Sequence, residues 1–287
     1  MGPTASGKTA VAERLADHLH ARLVNADAFQ VYRGLDVGTS KPVAKERYDL
    51  LDIKAPDETF GVGEWIAAAT AVLGTAWADG NHVVVVGGTG LYIRALFEEY
   101  AEMYAAPDPD LREAVQKRLR DAGVEALFAE LTAVAPQVAA GIDAGNPRRV
   151  SRALERVLAG NGPMRISIPP FRKTKLALDP PKATLDVQIR RRLDIMFQNG
   201  WVREVERLRA AGIARSAPSL RAIGYQDVWD HIEGVISFEI ACERITTATR
   251  RYAKRQGTWL RSEPNLLRLA GNEPEALYAE AMERIAR

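Results

Sequence analysis

The residues Gly2-Pro3-Thr4-Ala5-Ser6-Gly7-Lys8-Thr9 constrain this chain more than anything that follows, because they fit G-x-x-x-x-G-K-[ST] without a gap. Glycines in such a loop let backbone N–H groups turn inward around phosphate oxygens, and the helix behind it adds its positive end. Lys8 supplies a mobile ammonium to the terminal phosphates, and the Thr9 hydroxyl suits Mg²⁺. The loop belongs at a strand-to-helix turn of a parallel sheet. Thr9–His20, with Val11, Leu15 and Leu19 spaced by four, reads as the helix. A strand ordinarily precedes the loop, yet only Met1 does here. The expectation is a chain start placed late, with a central strand missing and the loop less firmly anchored.

Beyond the loop, strand, turn and helix alternate. Arg22–Ala26 reads as a strand, Glu64–Trp77 as an alanine-rich helix stopped by Gly80, and Leu91–Leu96 as the start of another. Val83–Val86 is an unbroken β-branched run, expected to be a parallel strand buried on both faces. After Pro107 the pattern turns helical: Leu111–Ala122, Val124–Thr132, Arg148–Leu158, Leu185–Ala210 with an interruption near Gly200, and Ile236–Leu260. Gly160 to Pro181 reads as a basic, proline-bearing connector with room for one short strand. The predicted fold is α/β: a P-loop NTPase-like parallel sheet flanked by helices, with an inserted, mainly helical domain. Residues 1–104 and 184–287 form the core domain in this reading, and 105–183 the insertion.

Composition narrows the function classes. A 287-residue chain that is 47% apolar and 26% charged builds a core without staples, and its single cysteine, Cys242, excludes a disulfide framework or a multi-cysteine zinc site. No apolar run approaches the roughly 20 residues of a membrane span, and the start has no signal core. The expected setting is the cytoplasm, without a membrane partner, as a monomer. Residues 1–100 carry 9 Lys and Arg against 13 Asp and Glu, leaving 30 against 24 for the remainder. The basic excess gathers at Arg148–Lys173 and Arg244–Arg261, which suits a polyanionic partner.

Phosphate loops in hydrolases and switches are usually served by a carboxylate ending a later apolar strand. Here Val83–Val86 runs into Gly87-Gly88-Thr89-Gly90, with no acid. The carboxylate sits instead after Arg22–Ala26, at Asp27. In an open α/β sheet that is the carboxyl edge, facing the loop, so Asp27 is a candidate general base beside a bound phosphate; the bland alternative is a turn cap. Two chemistries remain open on these residues: a kinase moving phosphate to an acceptor hydroxyl, or a carbon transfer in which diphosphate leaves.

Further segments carry a resemblance. GPTASGKT is followed by NADAFQVYRGLDVGTSKP, then YDLLDIKAPDETF, VVVVGGTGLYIRAL, NPRRVSRALE, RAIGYQDVWDHIEG and TRRYAKRQGTWLR. This ordered set resembles the bacterial tRNA dimethylallyltransferases (IPP transferases) over nearly the whole chain. Departures are Tyr48, where the family often has histidine, and Gly257, where it often has a larger apolar residue. The zinc finger of eukaryotic relatives is absent.

The resemblance implies transfer of a dimethylallyl group from dimethylallyl diphosphate to N6 of the adenosine 3′-adjacent to the anticodon of tRNA. It gives Gly2, Pro3, Thr4, Ala5, Ser6, Gly7, Lys8 and Thr9 to the diphosphate, with Mg²⁺ on Thr9, and makes Asp27, Lys8 and Thr9 catalytic. Asp27, Ala28, Phe29 and Gln30 resemble the segment touching the target nucleotide, with Gln30 available to a base edge. Thr89 and Arg112 fall at positions that contact the RNA. Arg148, Arg149, Val150, Ser151 and Arg152, and later Arg250, Arg251, Lys254 and Arg255, are expected on the anticodon stem-loop, the arginines and lysine as phosphate rails. Trp201, Tyr225, Trp229 and Trp259 are expected in the core, while Tyr32 and Tyr92 lie nearer the pocket. Competing readings are a small-molecule P-loop kinase, an isopentenyltransferase acting on free adenine nucleotides, and a non-catalytic RNA-binding module; the last leaves the loop and Asp27 unexplained.

Overall fold

A computed structural model describes residues 1–97, 108–160, 171–269 and 274–286. The chain divides into two compact units, residues 1–99 with 168–287, and residues 100–167.

The larger unit begins with α1 (Lys8–Leu19), entered through Gly7 at φ 80°. β1 (Arg22–Asn25), β2 (Tyr48–Asp49), α2 (Val62–Ala78), β3 (Val83–Val86) and α3 (Gly90–Phe97) follow. β2 and β3 both pair parallel with β1, in the order β2-β1-β3. The α/β reading therefore holds, and Asn25 and Val86, paired in register, bring both strands to a shared carboxyl edge. That edge sets down the Asp27 turn and the Gly87-Gly88 turn side by side. Their separation is tight: a Cβ on Gly87 would fall 2.1 Å from the Ala26 carbonyl oxygen, so no larger residue fits.

The expectation that Val83–Val86 is buried on both faces needs correcting, since only Val86 is buried. The sheet is interrupted beside this strand. Val83, Val84 and Val85 line an apolar cavity of about 390 Å³ together with Val11, Leu15, Leu73, Trp77 and Leu176.

The second half of the larger unit holds β4 (Lys175–Leu178), α7 (Lys182–Gln198), α8 (Trp201–Ala210), α9 (Tyr225–Ile232), α10 (Phe238–Arg261), β5 (Leu266–Leu269) and α11 (Pro274–Ala286). β4 and β5 form a separate parallel pair. Met1 lies against β4 as a strand residue would: its amino group donates to the Leu176 carbonyl at 2.7 Å and its carbonyl accepts from Leu178 N–H at 2.9 Å. Gly200, at φ 90°, separates α7 from α8, which is the interruption expected there. α10 continues through Gly257 without a break, held by the tertiary contacts of Ala253, Gln256 and Leu260. Trp201, Tyr225 and Trp229 are core residues beside Leu35 and Ile245, as their size suggested.

The smaller unit consists, among described residues, of α4 (Pro109–Val134), broken at Gly123, the short α5 (Pro136–Ala139), and α6 (Pro147–Ala159), capped by Asn146. Val115, Leu127, Leu131, Val150, Ala153 and Leu154 make its own core. The sequence reading drew the insertion as 105–183, but Lys175–Leu178 pairs with β5 and lies in the larger unit.

Candidate active site

Residues from distant parts of the sequence meet at the carboxyl edge of the sheet. Thr4, Lys8, Thr9, Asn25, Asp27, Gln30, Ser40, Arg192, Tyr252 and Gln256 line one polar pocket; the cavity beside β3 shares Lys8 and Val86 with it and has no carboxylate in its lining.

The loop itself has the geometry of an anion cradle. Ala5 and Gly7 both take positive φ, 63° and 80°, which turns successive N–H groups to one side. Ser6 N–H donates to the Pro3 carbonyl at 3.3 Å, closing the turn, and Lys8 Nζ reaches back to the same oxygen at 3.2 Å. The Ser6 hydroxyl is buried without a hydrogen-bond partner among the described residues, a donor left over inside the cradle.

Burial and the nearby Arg192 guanidinium lower the Lys8 pKa from 10.5 to about 8, against the opposing pull of Asp27. Arg192 is itself desolvated: burial lowers its pKa and Asp27 raises it. Two cations are thus held close with one carboxylate nearby, an arrangement that an arriving polyanion relieves.

Asp27 sits in an Asx-type turn. Its Oδ1 accepts from Phe29 N–H at 2.9 Å, and its own N–H donates to Asn25 Oδ1 at 3.2 Å. The turn-cap role is therefore real, but it occupies one oxygen and leaves Oδ2 for chemistry. Its charge is felt by Lys8, Arg192, Tyr92 and Tyr252. Thr89 Oγ1 accepts from Ala28 N–H at 3.1 Å, so Thr89 fixes the turn that carries Asp27. Burial raises the Tyr252 phenol well above its usual range, and its hydroxyl is hydrogen-bonded to Thr89.

Three site residues escaped the sequence reading. Arg192 donates from Nε to Ser40 Oγ at 2.9 Å and from Nη1 to Thr4 Oγ1 at 3.1 Å. Gln256 accepts from Thr4 N–H at 2.8 Å and donates to the Gly88 carbonyl at 2.9 Å, bracing the phosphate loop against the Gly87-Gly88 turn. Tyr252 stands one turn before it. A periodicity signal existed for two of them. Arg192 shares the buried stripe of Ile189, Leu193 and Met196, and Gln256 that of Ala253 and Leu260. A polar side chain on a core-facing stripe has to find a partner inside.

The remaining expected residues separate by environment. Tyr32 and Tyr92 are each 3% exposed, with Tyr92 stacked on Trp65 at 4.7 Å, so both are core residues and neither is in the pocket lining. Trp259 is half-buried, against Gly90 and under the Arg94 guanidinium. On α10, Arg251, Lys254 and Arg255 are exposed, while Arg250 pairs with Asp186 at 3.1 Å.

In the smaller unit Arg148, Arg149 and Arg152 are exposed. Val150 is fully buried and Ser151 is 1% exposed, its hydroxyl donating to the Pro147 carbonyl. These two side chains face the core; helical spacing turns them inward as it turns their arginine neighbours out. Glu155, 1% exposed, accepts from Arg152 at 2.9 Å, with Arg112 at 3.8 Å.

Comparison with known proteins supplies the family. The IPP transferase profile matches residues 30–263, and the isopentenyl transferase profile matches residues 1–53. The chain belongs to the IPP transferase family. It is 42% identical to the tRNA dimethylallyltransferase of Anaeromyxobacter dehalogenans (strain 2CP-C), over 99% of this chain and 98% of that one. It is 42% identical to the Thermus thermophilus tRNA dimethylallyltransferase over 92% of this chain and 88% of that one. Among solved IPP transferase structures, the Bacillus halodurans tRNA isopentenylpyrophosphate transferase superposes with a TM-score of 0.72 at 34% identity, covering 99% of this chain and 93% of that one. A eukaryotic dimethylallyltransferase acting on tRNA shares the fold, with a TM-score of 0.77 at 20% identity, over 99% and 76%.

Among described residues no cluster of three His, Cys, Asp or Glu side chains offers a metal site. The exposed Thr9 hydroxyl at the start of α1 is a hard oxygen donor in the same pocket as the Asp27 carboxylate. That donor set fits Mg²⁺, which commonly takes one or two protein oxygens and fills its octahedron with phosphate and water. No helix among the described residues is long and apolar enough to cross a membrane.

Proposed function

We propose that this IPP transferase moves a dimethylallyl group from dimethylallyl diphosphate to N6 of the adenosine 3′-adjacent to the anticodon in tRNA, releasing diphosphate. One observation carries the reading: the phosphate-type loop, Lys8 and Arg192 line the same pocket as a carboxylate with a spare oxygen.

The N–H groups of residues 4–9, with Lys8 and Arg192, bind the diphosphate and stabilise the charge that grows as its C–O bond breaks. Thr9 would hold a Mg²⁺ ion, which would supply further neutralising charge to the diphosphate. The N6 lone pair of adenosine is delocalised into the ring, so the amine is a poor nucleophile until its proton departs. Asp27 Oδ2 accepts that proton as the N6–C bond forms, a contribution of about 10²–10⁴ in rate. A stacked loop base must first be splayed into the pocket, at a cost of a few kcal/mol. Arg148, Arg149 and Arg152 on the smaller unit, and Arg251, Lys254 and Arg255 on α10, supply exposed cations for the stem-loop phosphates. The protein works as a monomer in the cytoplasm in this reading.

Incubation with labelled dimethylallyl diphosphate tests this. Label should enter tRNA and not AMP, with ATP left intact. Label in AMP alone, or ATP turnover without labelled tRNA, overturns it.

A further inference from the structure

A buried carboxylate that the chemistry does not use stands behind the pocket. Glu204, on α8, is 1% exposed and has no cationic partner among the described residues. Its Oε2 accepts from the N–H groups of Asp36 and Val37 at 2.6 and 2.7 Å. Its Oε1 accepts from Gly38 N–H at 3.1 Å and from the Tyr225 hydroxyl at 2.7 Å. Four donors on one carboxylate, three of them consecutive backbone N–H groups, tie residues 36–38 to α8. The seat is tight as well as polar: a Cβ on Gly38 would lie 2.1 Å from Trp201 Nε1 and 2.6 Å from the Tyr225 ring, so only glycine fits.

The next two residues carry the consequence. The carbonyls of Thr39 and Ser40 accept from Gln30 Nε2 at 3.0 and 3.1 Å. Both amide hydrogens of Gln30 are thereby committed. Because two carbonyl oxygens face that end of the side chain, the nitrogen must sit there and the oxygen must point the other way. Gln30 Oε1 has no hydrogen-bond partner among the described residues, and the side chain lines the pocket that holds Asp27. Glutamine normally offers a base edge either a donor or an acceptor. This one is restricted to an acceptor.

We infer that Glu204 is a positioning residue which, through residues 36–40, locks Gln30 as a hydrogen-bond acceptor and so selects a nucleobase presenting an amino group. This rests on the proposed transfer to N6 and deepens it. Adenine offers two N6 hydrogens, one for Asp27 and the second for Gln30 Oε1. A base without that amine leaves the acceptor unpaired in the pocket, which is an effective way to reject an analogue.

The test compares two anticodon stem-loops, one with adenosine and one with purine riboside at the target position, the second carrying hydrogen in place of the amine. Wild-type enzyme should bind the adenosine loop about 100-fold more tightly. Glu204→Gln puts an amide nitrogen against backbone donors, and the preference should fall about tenfold. Gln30→Leu, which leaves Glu204 in place, should lose the same factor, and Tyr225→Phe a smaller one. The last two keep the test open should Glu204→Gln not fold. A merely structural role would weaken both loops alike and leave the ratio untouched; that result, in either Glu204→Gln or Gln30→Leu, overturns the inference. Failure of wild-type enzyme to prenylate the adenosine loop would instead remove the transfer reading beneath it.

Discussion

In the proposed reaction a diphosphate brings negative charge to Lys8, the buried ammonium of the phosphate loop. In the free protein, burial and Arg192 hold it at about pH 8; two added phosphates push it back towards its ordinary range. Between roughly pH 8 and 10 the free enzyme has lost much of that proton and the complex keeps it, so binding takes up a proton and affinity falls as pH rises. Calorimetry in two buffers of different ionisation heat should detect the uptake, and Lys8→Arg, charged throughout, should remove it. Arg192→Ala should weaken diphosphate binding and slow transfer, by about 10² together, since it removes a cation that lines the pocket beside the phosphate loop. Transfer within threefold of wild type would take Arg192 out of the site. Lys8 and Asp27 were legible from spacing alone, because a loop motif and a carboxylate after a strand are local signals. Arg192 was not, since its partners Ser40 and Thr4 lie 152 and 188 residues away.

Among elements, α10 has two faces with different duties. Tyr252 and Gln256 look into the pocket, while Arg251, Lys254 and Arg255 are exposed. The sequence reading saw the basic face, because charge is counted along the chain, and missed the inward one, which is visible only as polar residues on a core-facing stripe. Substituting Arg251 or Lys254 by alanine should lower the salt slope of tRNA binding by roughly 1 each and leave diphosphate affinity unchanged. A flat salt profile in the wild type would contradict the rail. On the other side of the brace, a Cβ at Gly88 would lie 2.3 Å from Gln256 Nε2. Gly88→Ala should therefore push the Gln256 amide off the Gly88 carbonyl and cost about one hydrogen bond, roughly 0.5–1.5 kcal/mol in denaturant unfolding. β3 taught the converse lesson. Four consecutive valines signalled a strand, but burial of its faces depended on what pairs beside it, which no local pattern encodes.

For the molecule as a whole, the split into two units separates two kinds of sensitivity. The smaller unit has its own core, in which Leu154 is fully buried, and it bears the exposed arginines of residues 148–152. Leu154→Ala should cost about 2–5 kcal/mol there and reduce tRNA affinity, while diphosphate binding at the larger unit's loop is kept. The alternation of strand and helix, the helical middle and the basic shift past residue 100 were readable because each is repeated over many residues. The boundary near β4 was not, because four residues of strand declare their sheet only through their partner β5. The central claim, a carboxylate taking a proton from a base amine opposite a cation-lined diphosphate cradle, is tested most directly by single-turnover transfer with Asp27→Asn at saturating tRNA and dimethylallyl diphosphate. The rate should fall about 10²–10⁴-fold with both dissociation constants near wild type, whereas a rate within threefold of wild type would contradict it.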